Sequence, residues 1–270
     1  MSKDYHIFTN FITTIAVIYY FSDKFYIANM GHIFYNDGNI SQRRKLMTEK
    51  KNYAGLQYLL SYPENFDKVN KYPLVIFLHG AGTVAPDTAR LEKNSAYNNI
   101  CQRQNERGYV VMAPLCHVNN WLAHMGTLIE LVNIVRNYNF IDITRVYLTG
   151  NSMGGYGTWE LASLRPDWFA SIMPVCGGAM VWHASRTLVD VPIRTFHGLK
   201  DTTVDPSESL EIAKAVNKNG GHCELILFPE LSHNCWDRVY TSEANYDWML
   251  SFTTERDKSL VEKLSGDYYG

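Results

Sequence analysis

No excess of one charge runs through this 270-residue sequence: 25 lysines and arginines stand against 27 aspartates and glutamates, leaving a formal net charge of −2. The electrostatic footprint that nucleic-acid binding needs is missing, so no nucleic-acid partner is expected. Cysteine is scarce as well, five residues in all, odd in number and without a C-x-x-C pair. Cys101, Cys116, Cys176, Cys223 and Cys235 therefore read as reduced, mostly buried thiols rather than a disulfide framework or zinc cluster. With no H-E-x-x-H either, neither a metal nor another cofactor is implied. Long apolar runs are absent too. Residues 11–21 are uninterruptedly apolar but for threonines, and the uncharged stretch reaches back to Tyr5, yet this falls short of the ~20 residues of a bilayer helix. No internal repeat or low-complexity linker divides the chain.

What is present fits one domain of ordinary composition, 46% hydrophobic and 19% charged. Residues 1–46 are set apart as an amino-terminal extension and residues 47–270 as a single catalytic domain. For the extension, a hairpin or helix packed on the domain and an upstream segment before Met30 or Met47 rank equally. A signal or anchor ranks below both, since Lys3 is offset by Asp4 and no small-x-small cleavage site follows closely. A cytoplasmic location is the expectation, with secretion or anchoring through residues 5–21 as the alternative. Membrane association is not the expected mode.

From residue 55 onward, apolar strands alternate with helical segments. Residues 73–78 (Pro-Leu-Val-Ile-Phe-Leu) form a continuous apolar run of strand length, as for a central parallel strand buried on both faces. Leu128, Leu131, Val132 and Val135 recur at helical spacing on one face. Strand signatures follow at residues 145–149, 169–176, 191–198 and 224–228. The pattern predicts an α/β architecture, a doubly wound, mostly parallel sheet flanked by helices.

One stretch organises the rest. Gly150, Ser152 and Gly154 form G-x-S-x-G between a strand (residues 145–149) and a helix that ends before Pro166, the strand-turn-helix setting that exposes a nucleophilic serine. The two glycines are needed because neighbouring backbone must pass where side chains would stand. A serine of this kind requires a histidine to take its proton and a carboxylate to orient that histidine. His233, in the loop after the last strand, and Asp201, in the loop after the strand before it, are the candidates. Asp205 is the rival acid, but Asp205-Pro206-Ser207-Glu208 also reads as a helix start with an aspartate cap. Asp237 lies too close to His233 in the chain to be a strong candidate. His197 reads as a strand-end residue and His79 as a side chain bracing its loop.

An acyl-transfer site also needs two backbone donors for an oxyanion. Met153 N–H, at the start of the elbow helix, is one; Ala81, or next Gly82, in the His79-Gly80-Ala81-Gly82 loop is the other. Trp121, Trp182 and Trp236 lie near these motifs and are candidate pocket walls.

Together His79-Gly80-Ala81-Gly82, the Gly150–Gly157 stretch, Phe196-His197-Gly198-Leu199-Lys200-Asp201 and Ser232-His233-Asn234-Cys235-Trp236 resemble the α/β-hydrolase superfamily. More narrowly, they are similar to a bacterial esterase and peptidase group related to prolyl oligopeptidase catalytic domains and to feruloyl and acetylxylan esterases. The likeness spans about residues 50–252 and implies a serine hydrolase with a Ser152, Asp201, His233 triad. Two features depart from it. Thr83-Val84-Ala85 stands where relatives often carry an arginine, and 270 residues leave no room for the β-propeller that selects short peptides. The expectation is hydrolysis of small or carbohydrate-linked carboxylic esters, with small-molecule substrates as partners. A short-peptide peptidase is the alternative, and a non-catalytic binding module on a hydrolase fold comes third.

Overall fold

In the strand Tyr72–Leu78 every residue after the first is buried. Leu74, Ile76 and Leu78 enter one apolar core while Val75 and Phe77 enter another, the alternation of a strand covered on both sides. The computed structural model describes residues 15–21, 24–30 and 47–255, the first two stretches by their strands alone. Its strands are β1 (Ile15–Phe21), β2 (Lys24–Met30), β3 (Met47–Tyr53), β4 (Leu56–Tyr62), β5 (Tyr72–Leu78), β6 (Val110–Pro114), β7 (Ile141–Asn151), β8 (Ser171–Val175), β9 (Ile193–Gly198) and β10 (Cys223–Phe228). They form one sheet in the order β2-β1-β10-β9-β8-β7-β5-β6-β4-β3. The six strands β5 to β10 run parallel, and antiparallel strands finish both sides.

The helices are α1 (Ser95–Arg107), α2 (Met125–Arg136), α3 (Met153–Leu164), α4 (Val181–Thr187), α5 (Ser207–Lys218), α6 (Trp236–Thr241) and α7 (Glu243–Leu250). One core takes Leu128, Leu131, Val132 and Val135 of α2 with Leu161 of α3 and Ile212 of α5. The other takes Ile100 of α1, Val239 of α6 and Met249 of α7. The doubly wound, mostly parallel α/β architecture read from the sequence is the one observed.

β3 and α1 are among the elements not foreseen. β3 carries Thr48, Glu49, Lys50 and Lys51 on an exposed sheet edge, where charge blunts further strand pairing; such a strand has no apolar alternation to read. α1 is polar over most of its surface. It begins at Asn94, whose side chain accepts the Tyr97 N–H, and ends at Gly108 with φ of 64°, a left-handed cap that suits glycine.

At the opposite edge, β1 pairs antiparallel with β10 (Ala16 beside Leu227, Ile18 beside Leu225) and β2 folds back on β1. Within the extension, β1 and β2 thus form an antiparallel pair on the sheet. Residues 1–14, 22–23 and 31–46 lie outside the described residues, and with them part of the stretch read as a signal or anchor. Among the described residues no helix is long and apolar enough to cross a membrane.

Candidate active site

The register brings strand ends together. Leu78 stands beside Gly150, and Asn151 beside Val175, so the loops leaving β5, β7 and β8 emerge side by side at the carboxyl edge of the parallel strands, where α/β sheets bind ligands. Ser152 holds a φ of 57° and ψ of −121°, a backbone state that costs about 1–3 kcal/mol for a residue other than glycine. Its surroundings enforce the strain. A Cβ on Gly150 would strike the carbonyl oxygens of Gly154 and Leu78, and one on Gly154 would strike those of Leu78 and His79. The Ser152 N–H donates to Val175 O at 2.9 Å, tying the elbow to the next strand.

Three side chains then line up. The Ser152 hydroxyl donates to His233 Nε2 at 2.9 Å, and His233 Nδ1–H donates to Asp201 Oδ2 at 2.7 Å. Asp201 Oδ1 accepts the Thr203 and Val204 N–H groups at 2.8 and 3.0 Å. Burial alone would push the Asp201 carboxyl up, but the His233 and two backbone hydrogen bonds outweigh it and hold the group below its ordinary value. The carboxylate is therefore charged, and His233 is held with Nδ1 protonated and Nε2 facing the serine.

Asp205 does what a cap does. Its Oδ1 accepts the Ser207 N–H at 2.8 Å at the entry to α5, and those bonds lower its pKa. Asp237 is taken up by Ser95 and Asn234. His79 is wholly buried: Nδ1–H donates to Gly80 O at 2.8 Å and Nε2 accepts the Cys116 N–H at 3.0 Å. Burial depresses its pKa to about 4 against the weaker pull of the Gly80 carbonyl, so it is a neutral brace for the loop.

The loop it braces lies against the serine. Gly80 is close enough that a Cβ there would sit 3.4 Å from Ser152 Cβ and 3.0 Å from Asn151 Nδ2. Ala81 and Gly82 follow in a short 3-10 turn, and Met153 opens α3 immediately after the serine. Beside Met153 lies a cleft of about 320 Å³ lined by Asn120, Trp121, Leu122, Met153, Tyr156 and Gly157. Trp121 forms its buried wall, with Nε1–H donating to His79 O at 2.9 Å. Trp236 stands edge-on to His233, ring centres 5.5 Å apart. Trp182 lies apart from the cleft lining, 65% exposed on α4 under Arg186.

Sequence reasoning missed His197 and Cys176. His197 Nε2 lies 3.1 Å from the same Asp201 oxygen that His233 uses; the signal was its position four residues before Asp201, which reads as nothing more than the end of β9. Cys176 follows β8 with a φ of 41°, and its sulfur lies with Asp201 and His233 ligand atoms within 4.8 Å of one another. The Asp201 oxygen and His233 nitrogen are already engaged with each other. Contact with Cys235 first, and burial second, push the Cys176 thiol up, so it stays protonated. All five cysteines are free and buried.

A thermostable esterase of known structure covers 77% of this chain and is itself covered over 63%, with 26% identity and a TM-score of 0.62. Residues 122–248 match the family model described as Dienelactone hydrolase family. The chain has the α/β-hydrolase fold. Among curated relatives, the chain is 29% identical over 140 residues to the bifunctional acetylxylan esterase/xylanase of Neocallimastix patriciarum, covering 49% of the chain and 20% of the relative. It is 23% identical over 175 residues to a protein named probable feruloyl esterase C of Aspergillus terreus, covering 63% and 64%. The chain thus spans less than two thirds of either relative's length.

Proposed function

We propose that the protein is a serine hydrolase of carboxylic esters, acting on small or carbohydrate-linked acyl groups through an acyl-enzyme. The reading is carried by the hydrogen-bonded line Ser152–His233–Asp201 ending at a strained elbow. In the first half-reaction Ser152 Oγ attacks the ester carbonyl while His233 Nε2 takes its proton. The oxyanion that forms is met by the N–H groups of Met153 and Ala81, with Gly82 next in line. His233 then returns the proton to the leaving alcohol. In the second half-reaction water, deprotonated by His233, attacks the acyl-enzyme and releases the acid. Asp201 stays ionised throughout and stabilises the imidazolium. The cleft bounded by Trp121, Leu122, Met153 and Tyr156 is suited to an apolar part of the substrate. The esterase names among the relatives favour esters over peptides.

A fluorophosphonate probe should label the wild type at Ser152 and leave Ser152→Ala unlabelled. Turnover of p-nitrophenyl esters should fall by about 10⁴-fold or more in that variant. Labelling that survives the substitution would return the chain to the binding-module reading. In a parallel panel of feruloyl and acetyl sugars and aminoacyl anilides, turnover confined to the anilides would replace ester with peptide hydrolysis.

A further inference from the structure

Asp201 Oδ2 is shared by two imidazoles. His233 reaches it at 2.7 Å from the loop after β10, and His197 Nε2 reaches it at 3.1 Å from the end of β9. The two rings differ in setting: His197 is fully buried, whereas His233 is partly open to solvent. On its other side His197 Nδ1 lies 2.7 Å from Ser209 Oγ on α5, and Ser209 Oγ is 3.0 Å from Gly177 O.

The tautomer follows from the partners. Nε2 faces two groups that can only accept, the Asp201 carboxylate and Val204 O at 3.0 Å, so it must carry a proton. Nδ1 faces a hydroxyl, which can donate. Burial pushes the His197 imidazole below its ordinary value, against the Val204 and Asp201 acceptors, which leaves it neutral with Nδ1 accepting from Ser209. The charged or titratable groups facing this pair are Asp201 and Asp205 from the β9–α5 loop and His233 from the β10–α6 loop. Cys176 after β8 and Tyr156 on α3 face Asp201.

A carboxylate held only by Thr203, Val204 and His233 would still rock about its Cβ–Cγ bond, because both backbone donors grip the same oxygen, Oδ1. A small rotation would carry Oδ2 out of line with His233. We infer that His197 is a positioning residue: its buried Nε2–H, set by Ser209, fixes Asp201 Oδ2 in the line that His233 needs to serve Ser152. This inference rests on the serine-hydrolase reading.

The test uses two amide substitutions. In His197→Gln the amide nitrogen can occupy the place of Nε2 and keep a donor on Asp201. In His197→Asn the shorter amide reaches Ser209 but not Asp201. The readouts are ester kinetics and the rate of fluorophosphonate labelling, which reports the Ser152–His233 couple whatever the natural substrate. His197→Asn should lower kcat by about tenfold, as for loss of one hydrogen bond to a charged group, with KM within about twofold, and should slow labelling by a similar factor. His197→Gln should stay within about threefold of wild type in both. If wild type and His197→Asn share both rates, or if the two variants lose equally, the inference is overturned. A wild type that no phosphonate labels overturns the serine-hydrolase reading instead, and this one with it. Should His197→Asn fail to fold, ¹⁵N-histidine spectra of the wild-type protein decide: the neutral Nε2–H tautomer is expected, and a bare Nε2 overturns the inference.

Discussion

Asp201 and Asp205 sit four positions apart on one loop, and their surroundings divide the work between them. Asp201 is buried, engaged through both oxygens and aligned with His233; Asp205 is exposed and engaged by the first turn of α5. Replacing Asp201 with asparagine should lower kcat by about 10⁴-fold while the protein stays folded, since the tautomer of His233 is no longer set. Replacing Asp205 with alanine should lower Tm and leave kcat within about threefold. Steady-state kinetics and thermal melts of the two variants, measured side by side at neutral pH, check both, and the reverse pattern would move the orienting acid to Asp205. The role of Asp205 was legible because a capping sequence is local. The partnership of His197 with Asp201 was not. Its meaning depends on Ser209, twelve residues on, and on an orientation that spacing along an irregular loop does not encode.

Among the elements, strands with both faces covered and a helix with a regular apolar face, α2, could be read, and those without such a pattern could not. β5 and β7 announce themselves by unbroken apolar or β-branched runs, whereas β3, at the charged edge, and α1, with its long polar sequence, carry no such signature. The elbow was legible for a different reason: its glycines are a steric necessity visible as a pattern. That necessity is testable at two positions of contrasting space. An added methyl at Gly154 has only the Leu78 and His79 backbone to meet, while Gly82 has nothing within 4 Å. Gly154→Ala should cost more than about 3 kcal/mol, since backbone cannot step aside as a side chain can. Gly82→Ala should unfold near the wild-type midpoint. Urea titrations of the two proteins provide the comparison, and equal midpoints would mean that α3 can shift away from β5.

For the whole molecule, stability should depend on acid in a way set by several buried groups, among them His79, His197 and Asp201. The folded chain keeps His79 neutral down to about 4, while the unfolded chain takes up that proton near the ordinary value of 6.5. The unfolded state therefore binds more protons through this window, and stability falls as pH drops from about 6.5 to 4, by about 3 kcal/mol in all. Asp201 acts in the same direction at lower pH. Its depressed pKa gives stability that is complete above the ordinary carboxylate value and is lost as pH falls through the folded one. Unfolding free energies measured between pH 7 and 4 should show the combined slope, and His79→Gln should make it shallower, leaving the part due to His197. A slope unchanged in that variant would place the acid sensitivity elsewhere.

The hydrogen bond from Trp121 to the His79 carbonyl joins the wall of the cleft to the loop that carries Ala81. Anyone reshaping this molecule for a bulkier substrate would reach first for its largest wall residue, and by trimming Trp121 would loosen the backbone proposed to receive the oxyanion. Room and rate are linked at that position. Leu122 is 57% exposed and lines the same cleft, so it offers a way to vary the substrate without slowing the chemistry.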